Sequence, residues 1–221
     1  MSTIFFTEAC TTYKYLIEKG YPEKATLKLI GDRHGLSRVE RNCIFRGVMR
    51  GSVAEKRKTK IIAEAEAMDQ LIAIDWYNVL ITVESYLKGL TLFIAEDGVV
   101  RDASATHGSY RRTPLTDKAM EEIVGVMAAL RPSRVEAYLD APIAFSGLMA
   151  EILREKLQGL PCPSEVSLAR SADYPLKNSR GIVATSDSVI LDGAERVLDL
   201  ARCVLHRQFG FTPPQLSGLF P

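Results

Sequence analysis

Three apolar runs in the chain each stop at an aspartate: Leu71 to Asp75 (LIAID), Val135 to Asp140 (VEAYLD) and Gly181 to Asp187 (GIVATSD). Carboxylates gathered at one spot repel one another unless a cation neutralises them. Oxygen-only donors with no His or Cys cluster beside them suit Mg²⁺ or Mn²⁺ far better than zinc. A hard divalent ion in turn points to phosphate chemistry, where it activates water and balances charge on a phosphoryl group. Such a site also needs an orienting polar group and a further carboxylate. Asn78 follows Asp75 by three residues with Glu84 beyond it, and Ser186, Ser188 and Asp192 flank Asp187. Each aspartate taken singly has a local alternative, which is to cap the helix that follows its strand. Asp192 has the alternative of capping the final helix.

The elements that must position these residues read as an α/β fold. Apolar runs of this length are buried strands of a parallel sheet, and ligands bind in the crevice outside their carboxyl ends. The hairpin dipeptide Asp97-Gly98 joins two short strands in TLFIAEDGVVRDAS, an insertion after the first strand. Thr116 to Leu130 reads as a helix with Ala119, Ile123, Met127 and Leu130 on one face, ended by Arg131-Pro132. Phe145, Leu148, Met149, Ile152 and Leu153 mark another helix, Glu165 to Ala169 and Gly181 to Ser186 two strands. Ala194, Val197, Leu198, Ala201, Val204 and Leu205 stripe a last helix. The order strand, hairpin, helix, strand, helix, strand, strand, helix predicts a three-layer α/β sandwich around a mainly parallel sheet over residues 71–210. Residues 211–221 read as a mobile tail.

Residues 1–66 contain no convincing strand and read as a helix-turn-helix-like module. Pro22 opens one helix through EKATLKLIGDRHG, Gly35 supplies its left-handed end, and Ser37 with Glu40 forms a capping box for the next. Val39, Cys43 and Val48 give that second helix its apolar stripe, while Arg38, Arg41, Asn42 and Arg46 share a polar face suited to phosphates and base edges or simply to water. The charged stretch Glu55 to Lys60, followed by IIAEAEAMDQ, continues as helix rather than linker. In the hairpin segment, Arg101, Arg111 and Arg112, with Tyr110 for stacking, would line a phosphate-backbone groove, the alternative being a solvated loop; His107 is given no role.

Lys+Arg 28 against Asp+Glu 27, a net charge of +1, excludes a protein that wraps nucleic acid by bulk charge. The four cysteines, Cys10, Cys43, Cys162 and Cys203, form no CxxC pair and so suggest neither a zinc ribbon nor a disulfide framework. The stretch MSTIFFTEACTTYKYLIEKG lacks a basic, long-apolar signal, and no run reaches the length of a membrane span. The expected location is the cytoplasm.

The pattern of apolar strand, Asp, x, x, Asn in AIDWYNVL, with the later VATSDSVIL, resembles the PIN-like nuclease superfamily over roughly residues 71–207. In that family the first aspartate ends the first strand and a Thr-x-Asp element ends the fourth. The whole chain is also similar to an uncharacterised prokaryotic domain-of-unknown-function family with a helical lead carrying Gly20-Tyr21-Pro22. The PIN-like resemblance implies one or two Mg²⁺ or Mn²⁺ ions held by Asp75, Asp187 and Asp140, with Glu84 or Asp192 as the remaining carboxylate. It implies hydrolysis of a phosphodiester, RNA ahead of DNA, leaving a 5′-phosphate. Arg101, Arg111, Arg112, Arg38 and Arg41 would hold the nucleic acid; a homodimer stays open and no membrane is involved. A non-catalytic nucleic-acid-binding regulator on a degenerate PIN-like scaffold is the alternative. A Rossmann-like nucleotide-binding enzyme is disfavoured, because Asp75-Trp76-Tyr77-Asn78 stands where a GxGxxG or P-loop would follow the first strand.

Overall fold

A computed structural model describes residues 3–104 and 110–220; His107 lies outside the described residues. In chain order the elements are α1 (Thr3–Glu18), α2 (Glu23–Arg33), α3 (Arg38–Gly47), α4 (Gly51–Lys58), β1 (Leu71–Asp75), α5 (Trp76–Leu87), β2 (Leu92–Ile94) and β3 (Val100–Asp102). They continue as α6 (Pro114–Leu130), β4 (Arg134–Asp140), α7 (Ser146–Leu157), β5 (Ser164–Ala169), α8 (Asp173–Lys177), β6 (Ile182–Ala184), α9 (Ser188–Gly193), β7 (Val197–Leu198) and α10 (Leu200–Phe209). The chain divides into two compact units, Met1–Thr59 with Gly89–Ala105 and Pro213–Pro221, and Lys60–Lys88 with Thr106–Thr212.

The second unit is α/β, built on a five-stranded sheet of order β5-β4-β1-β6-β7 with every pairing parallel. Central β1 is covered on both faces, which is why it reads as an unbroken apolar run, whereas β4 alternates buried and half-buried residues and so tolerates Glu136 and Tyr138. The strand order reverses at β1. The chain moves out to β4 and β5 on one side, then crosses to β6 and β7 on the other, so the crevice beyond β1 is the switch point where open α/β sheets bind ligands.

Local chemistry explains the flanking helices. The Thr113 hydroxyl accepts from Leu115 N and Pro114 takes a first-turn position at the start of α6, while Arg131 adopts left-handed geometry just before Pro132 and ends it. Helix α5 was missing from the predicted order because WYNVLITVES is buried nearly all round, its polar Asn78, Thr82 and Ser85 included. The expected last helix begins later than its apolar stripe: Val197 and Leu198 form edge strand β7, and Asp199 then caps α10 by accepting from Arg202 N.

In the first unit, α2 and α3 are joined through His34–Ser37, with Gly35 at φ +59° and the Ser37–Glu40 capping box both formed, as expected. Val39 is exposed, so the buried stripe of α3 runs through Cys43, Ile44 and Val48 instead. Helix α4 stops at Lys58 rather than continuing, and a short 3-10 turn at Glu64–Ala67 follows.

The hairpin β2–β3 belongs to this unit and not to the α/β domain, because Phe93, Ala95 and Ala103 complete the core around Phe6, Tyr13 and Ile44. Residues after Pro213 are likewise packed rather than a loose tail: Ile94 N donates to Pro214 O at 2.8 Å, and Leu216 is buried against Gly47.

Candidate functional site

Strand register brings the aspartates to one place. Asp75 pairs with Tyr138 on β4, and Ala184 of β6 pairs with Ile74, so Thr185 stands level with Asp75 on the opposite side. Asp140 therefore lies two residues beyond the level of Asp75, about 6.6 Å further along β4 and on the face that Asp75 shares, while Asp187 follows the end of β6 by three residues. Together with Asp173 at the start of α8 they line a cavity of about 320 Å³, with Pro142, Ile143, Arg170, Ser171 and Ala172 forming the remaining wall.

Asp75, Asp140 and Asp187 are each oriented through one oxygen. Asp75, only 2% exposed, accepts from the Thr185 hydroxyl at 2.8 Å through Oδ2. Asp140 Oδ1 accepts from Ala172 N at 2.9 Å, which fastens the segment after β5 to the end of β4. Asp187 Oδ1 accepts from Val189 N at 2.8 Å and Ile190 N at 3.2 Å, so it also caps α9. The local alternative weighed for each aspartate thus holds for Asp187 in addition to, not instead of, its place at the cavity. Asn78 stands behind the site: its Oδ1 accepts from Ser186 N at 2.7 Å and from the Ser186 hydroxyl at 2.8 Å, tying the turn after β6 to α5. It positions Thr185 and Asp187 rather than facing the cavity itself.

The electrostatic result is a carboxyl group that resists ionisation. Burial pushes Asp75 up to about 8, and the charges of Asp187, Asp140 and Asp173 add to the rise against the opposing Thr185 hydrogen bond. A cation in the cavity would relieve that repulsion, and the donors are the hard oxygens that Mg²⁺ and Mn²⁺ accept. Among the described residues, no three His, Cys, Asp or Glu side chains form a ready metal cage. Water ligands, which Mg²⁺ keeps readily, would complete a shell.

Two expected carboxylates lie elsewhere. Glu84 is buried on α5, where it accepts from the Tyr110, Thr113 and Thr116 hydroxyls and pairs with Lys88 at 2.9 Å, so it organises the entry to α6. Asp192 is exposed on α9, and its backbone carbonyl accepts from Lys60 Nζ at 2.9 Å; α10 is capped by Asp199 instead. The fourth carboxylate at the cavity is Asp173, which sequence reasoning missed because β5 carries no terminal aspartate. The one available signal was its place four residues past the end of a strand.

The expected groove arginines also divide. Arg101 is 1% exposed and clasps Asp97 with two bonds of 2.7 Å, so it is a core residue of the first unit. Tyr110 is buried against Tyr77 and spends its hydroxyl on Glu84, which removes it as a stacking surface. Arg111 and Arg112 are exposed, the latter paired with Asp117 at 2.7 Å. On α3, Arg38 is exposed, Arg41 folds back on Leu36 O and Asp32, and Asn42 and Arg46 hold the hairpin through Ala103 O and Asp102. Among the described residues, no helix is long and apolar enough to cross a membrane.

Comparison with known proteins divides the chain near residue 60, with the β2–β3 hairpin inside the second match. Residues 5–60 match a family described as Protein of unknown function (DUF434). The chain is 32% identical over 190 residues, 85% of its own length and 90% of the relative's, to Uncharacterized protein MJ0935 of Methanocaldococcus jannaschii. No solved structure matches. Residues 64–203, carrying all four carboxylates of the cavity, match the family described as Domain of unknown function (DUF5616), and the chain belongs to that family.

Proposed function

We propose that the protein is a divalent-metal-dependent nuclease of PIN-like type, a three-layer α/β sandwich acting on RNA in preference to DNA. The observation that carries this reading is the convergence of Asp75, Asp140, Asp173 and Asp187 on one cavity at the switch point of a parallel sheet. It is supported by strand order, since β6 is the fourth strand of the sheet in chain order and Thr185-Ser186-Asp187 follow it directly, as the resemblance implies.

Asp75, Asp140 and Asp187 would hold Mg²⁺ or Mn²⁺, with Asp173 beside them. When bound, the ion would lower the pKa of water and balance charge on the phosphodiester. The chain's own part is orientation. Thr185 fixes the rotamer of Asp75, Asn78 fixes the turn that carries Asp187, and Ala172 N fixes Asp140. Burial of Asp75 keeps bulk water off its carboxyl group, and a bound cation would draw off the proton that burial makes it hold.

Purified protein with Mn²⁺ should cleave single-stranded RNA to 5′-phosphate ends, and Asp75→Asn and Asp187→Asn should each abolish cleavage. Asparagine still caps α9 at position 187, so loss there reports chemistry rather than unfolding. Activity that survives both substitutions belongs to a contaminant, and wild-type protein inert on RNA and DNA alike removes the reading. Calorimetric titration with Mn²⁺ separates the non-catalytic regulator, which would show no uptake dependent on Asp75.

A further inference from the structure

The two most exposed large apolar side chains among those described belong to the two chain segments that wall the carboxylate cavity. Phe145 is 83% exposed and Tyr174 is 78% exposed. Phe145 follows Ile143 by two residues on the segment after β4, and Tyr174 follows Asp173 directly on the segment after β5; Ile143 and Asp173 both line the cavity. Aromatic rings left in water at this level bury little apolar area for the fold, so stability does not account for them.

The backbone makes the same point at Phe145. It adopts φ +62°, ψ 22°, the left-handed region that a bulky residue enters at a cost, and it does so as the residue before α7 with no side-chain cap bond. The turn is held in that shape from both ends: Ile143 N donates to Asp140 O, Ser146 N to Ile143 O, and the Ser146 hydroxyl to Ala141 O. Strain held by surrounding bonds and spent on an exposed ring is the pattern of a ligand-facing residue.

The cavity wall also carries a cation. Arg170 lines the cavity with four carboxylates, yet makes no ion pair with a described residue. Its backbone is anchored on both sides, because Ala141 N donates to Ala169 O at 2.7 Å and Ala172 N to Asp140 at 2.9 Å. An arginine held beside carboxylates without pairing has its planar fork available to a phosphate.

We propose that Phe145 and Tyr174 are the base-stacking, specificity-determining residues of the site and that Arg170 holds the phosphate of the nucleotide between them. This assignment rests on the nuclease reading for the ligand class and adds the requirement that the strand be unpaired, since a base inside a duplex offers neither face to a ring.

The test is fluorescence anisotropy on the full chain with labelled ten-nucleotide single-stranded RNA, single-stranded DNA and the matching duplex, with Ca²⁺ in place of Mn²⁺ to suppress cleavage. Phe145→Ala and Tyr174→Ala should each weaken single-strand binding roughly 5- to 150-fold, the span of one stacked base, and leave duplex binding unchanged. Phe145→Trp should bind as the wild type does. Arg170→Gln should weaken binding and lower the slope of log affinity against log salt by about 0.7. Single-strand affinity that is indifferent to both alanine variants overturns the assignment. So does a wild type that takes up Mn²⁺ through Asp75 in calorimetry but binds no oligonucleotide, and in that case the metal reading stands. Ring-dependent strand binding without any Mn²⁺ uptake supports the assignment and removes the nuclease reading instead. Comparing the RNA and DNA arms identifies which strand the site prefers.

Discussion

Removing the charge of Asp75 should stabilise the metal-free protein, and the gain should grow with pH. The Asp75 carboxyl moves from an ordinary 3.8 to about 8 on folding, chiefly through burial. A group whose folded pKa is raised leaves stability intact below its unfolded pKa and withdraws it as pH rises towards the folded value. Each pH unit between 3.8 and about 8 therefore costs the wild type about 1.4 kcal/mol. The cumulative cost is about 4 kcal/mol at pH 7 and approaches 6 kcal/mol above pH 8. Asp75→Asn keeps the acceptor for the Thr185 hydroxyl and carries no proton to lose.

Melting curves in EDTA should give variant and wild type nearly equal midpoints at pH 4. By pH 7 the variant should melt about 10 °C higher, taking 2–4 °C per kcal/mol for a chain of this size. Adding Mn²⁺ at pH 7 should then raise the wild-type midpoint and leave the variant where it is, because only a form that binds the ion is stabilised by it. A midpoint difference that stays constant from pH 4 to pH 8 would refute the reasoning, since it would mean that Asp75 ionises as freely in the fold as in water.

Three further outcomes follow from particular side chains. Glu84→Ala strips Tyr110, Thr113, Thr116 and Lys88 of a common acceptor, and should lower stability in urea by about 2–4 kcal/mol with Mn²⁺ affinity by calorimetry unchanged. Asp97→Ala leaves the buried Arg57 and Arg101 without their shared carboxylate, and should cost about 3–5 kcal/mol, read as early unfolding of the helical unit by hydrogen exchange. Phe145→Gly should raise urea stability by about 0.5–1 kcal/mol, because relief of left-handed strain outweighs the added chain entropy. The same variant should lose single-strand affinity in the anisotropy assay, an opposition between stability and binding that a structural role for the ring would not produce.

The sheet was legible wherever burial imposed its own pattern. LIAID and VEAYLD announce β1 and β4 because one strand is covered on both faces and the other alternates, and their terminal aspartates follow from that. Thr185 and Asn78 could be placed by the same logic, although their bonds to Asp75 and Ser186 depend on register that only pairing supplies. Asp173 was hidden because β5 ends in Ala169, and proximity there comes from the bond between Ala172 N and Asp140, not from any run of residues. Arg101 misled for the opposite reason. A charged residue beside a hairpin turn reads as solvated, but Asp97 neutralises it and the ring of Phe93 is buried in the same unit. Phe145 was read into the apolar face of its helix, since helix-periodic apolar residues are taken for core until a structure shows one left in water.

The helical unit is assembled from three stretches of chain, and that has a consequence for biosynthesis. Its core needs Phe93 from the hairpin and Leu216 from beyond the α/β unit, and the Phe6 and Phe220 rings meet at 4.6 Å. About a hundred residues separate Ala105 from Pro213, and a ribosome adding ~5–20 residues per second needs roughly 5–20 s to make them. Throughout that interval α1 to α4 and the hairpin form a docking surface with one wall absent, while the sheet carrying Asp75 and Asp187 is still being produced. The nascent chain therefore passes through a window in which holdase chaperones have a defined apolar target, and it closes only when the segment around Leu216 arrives.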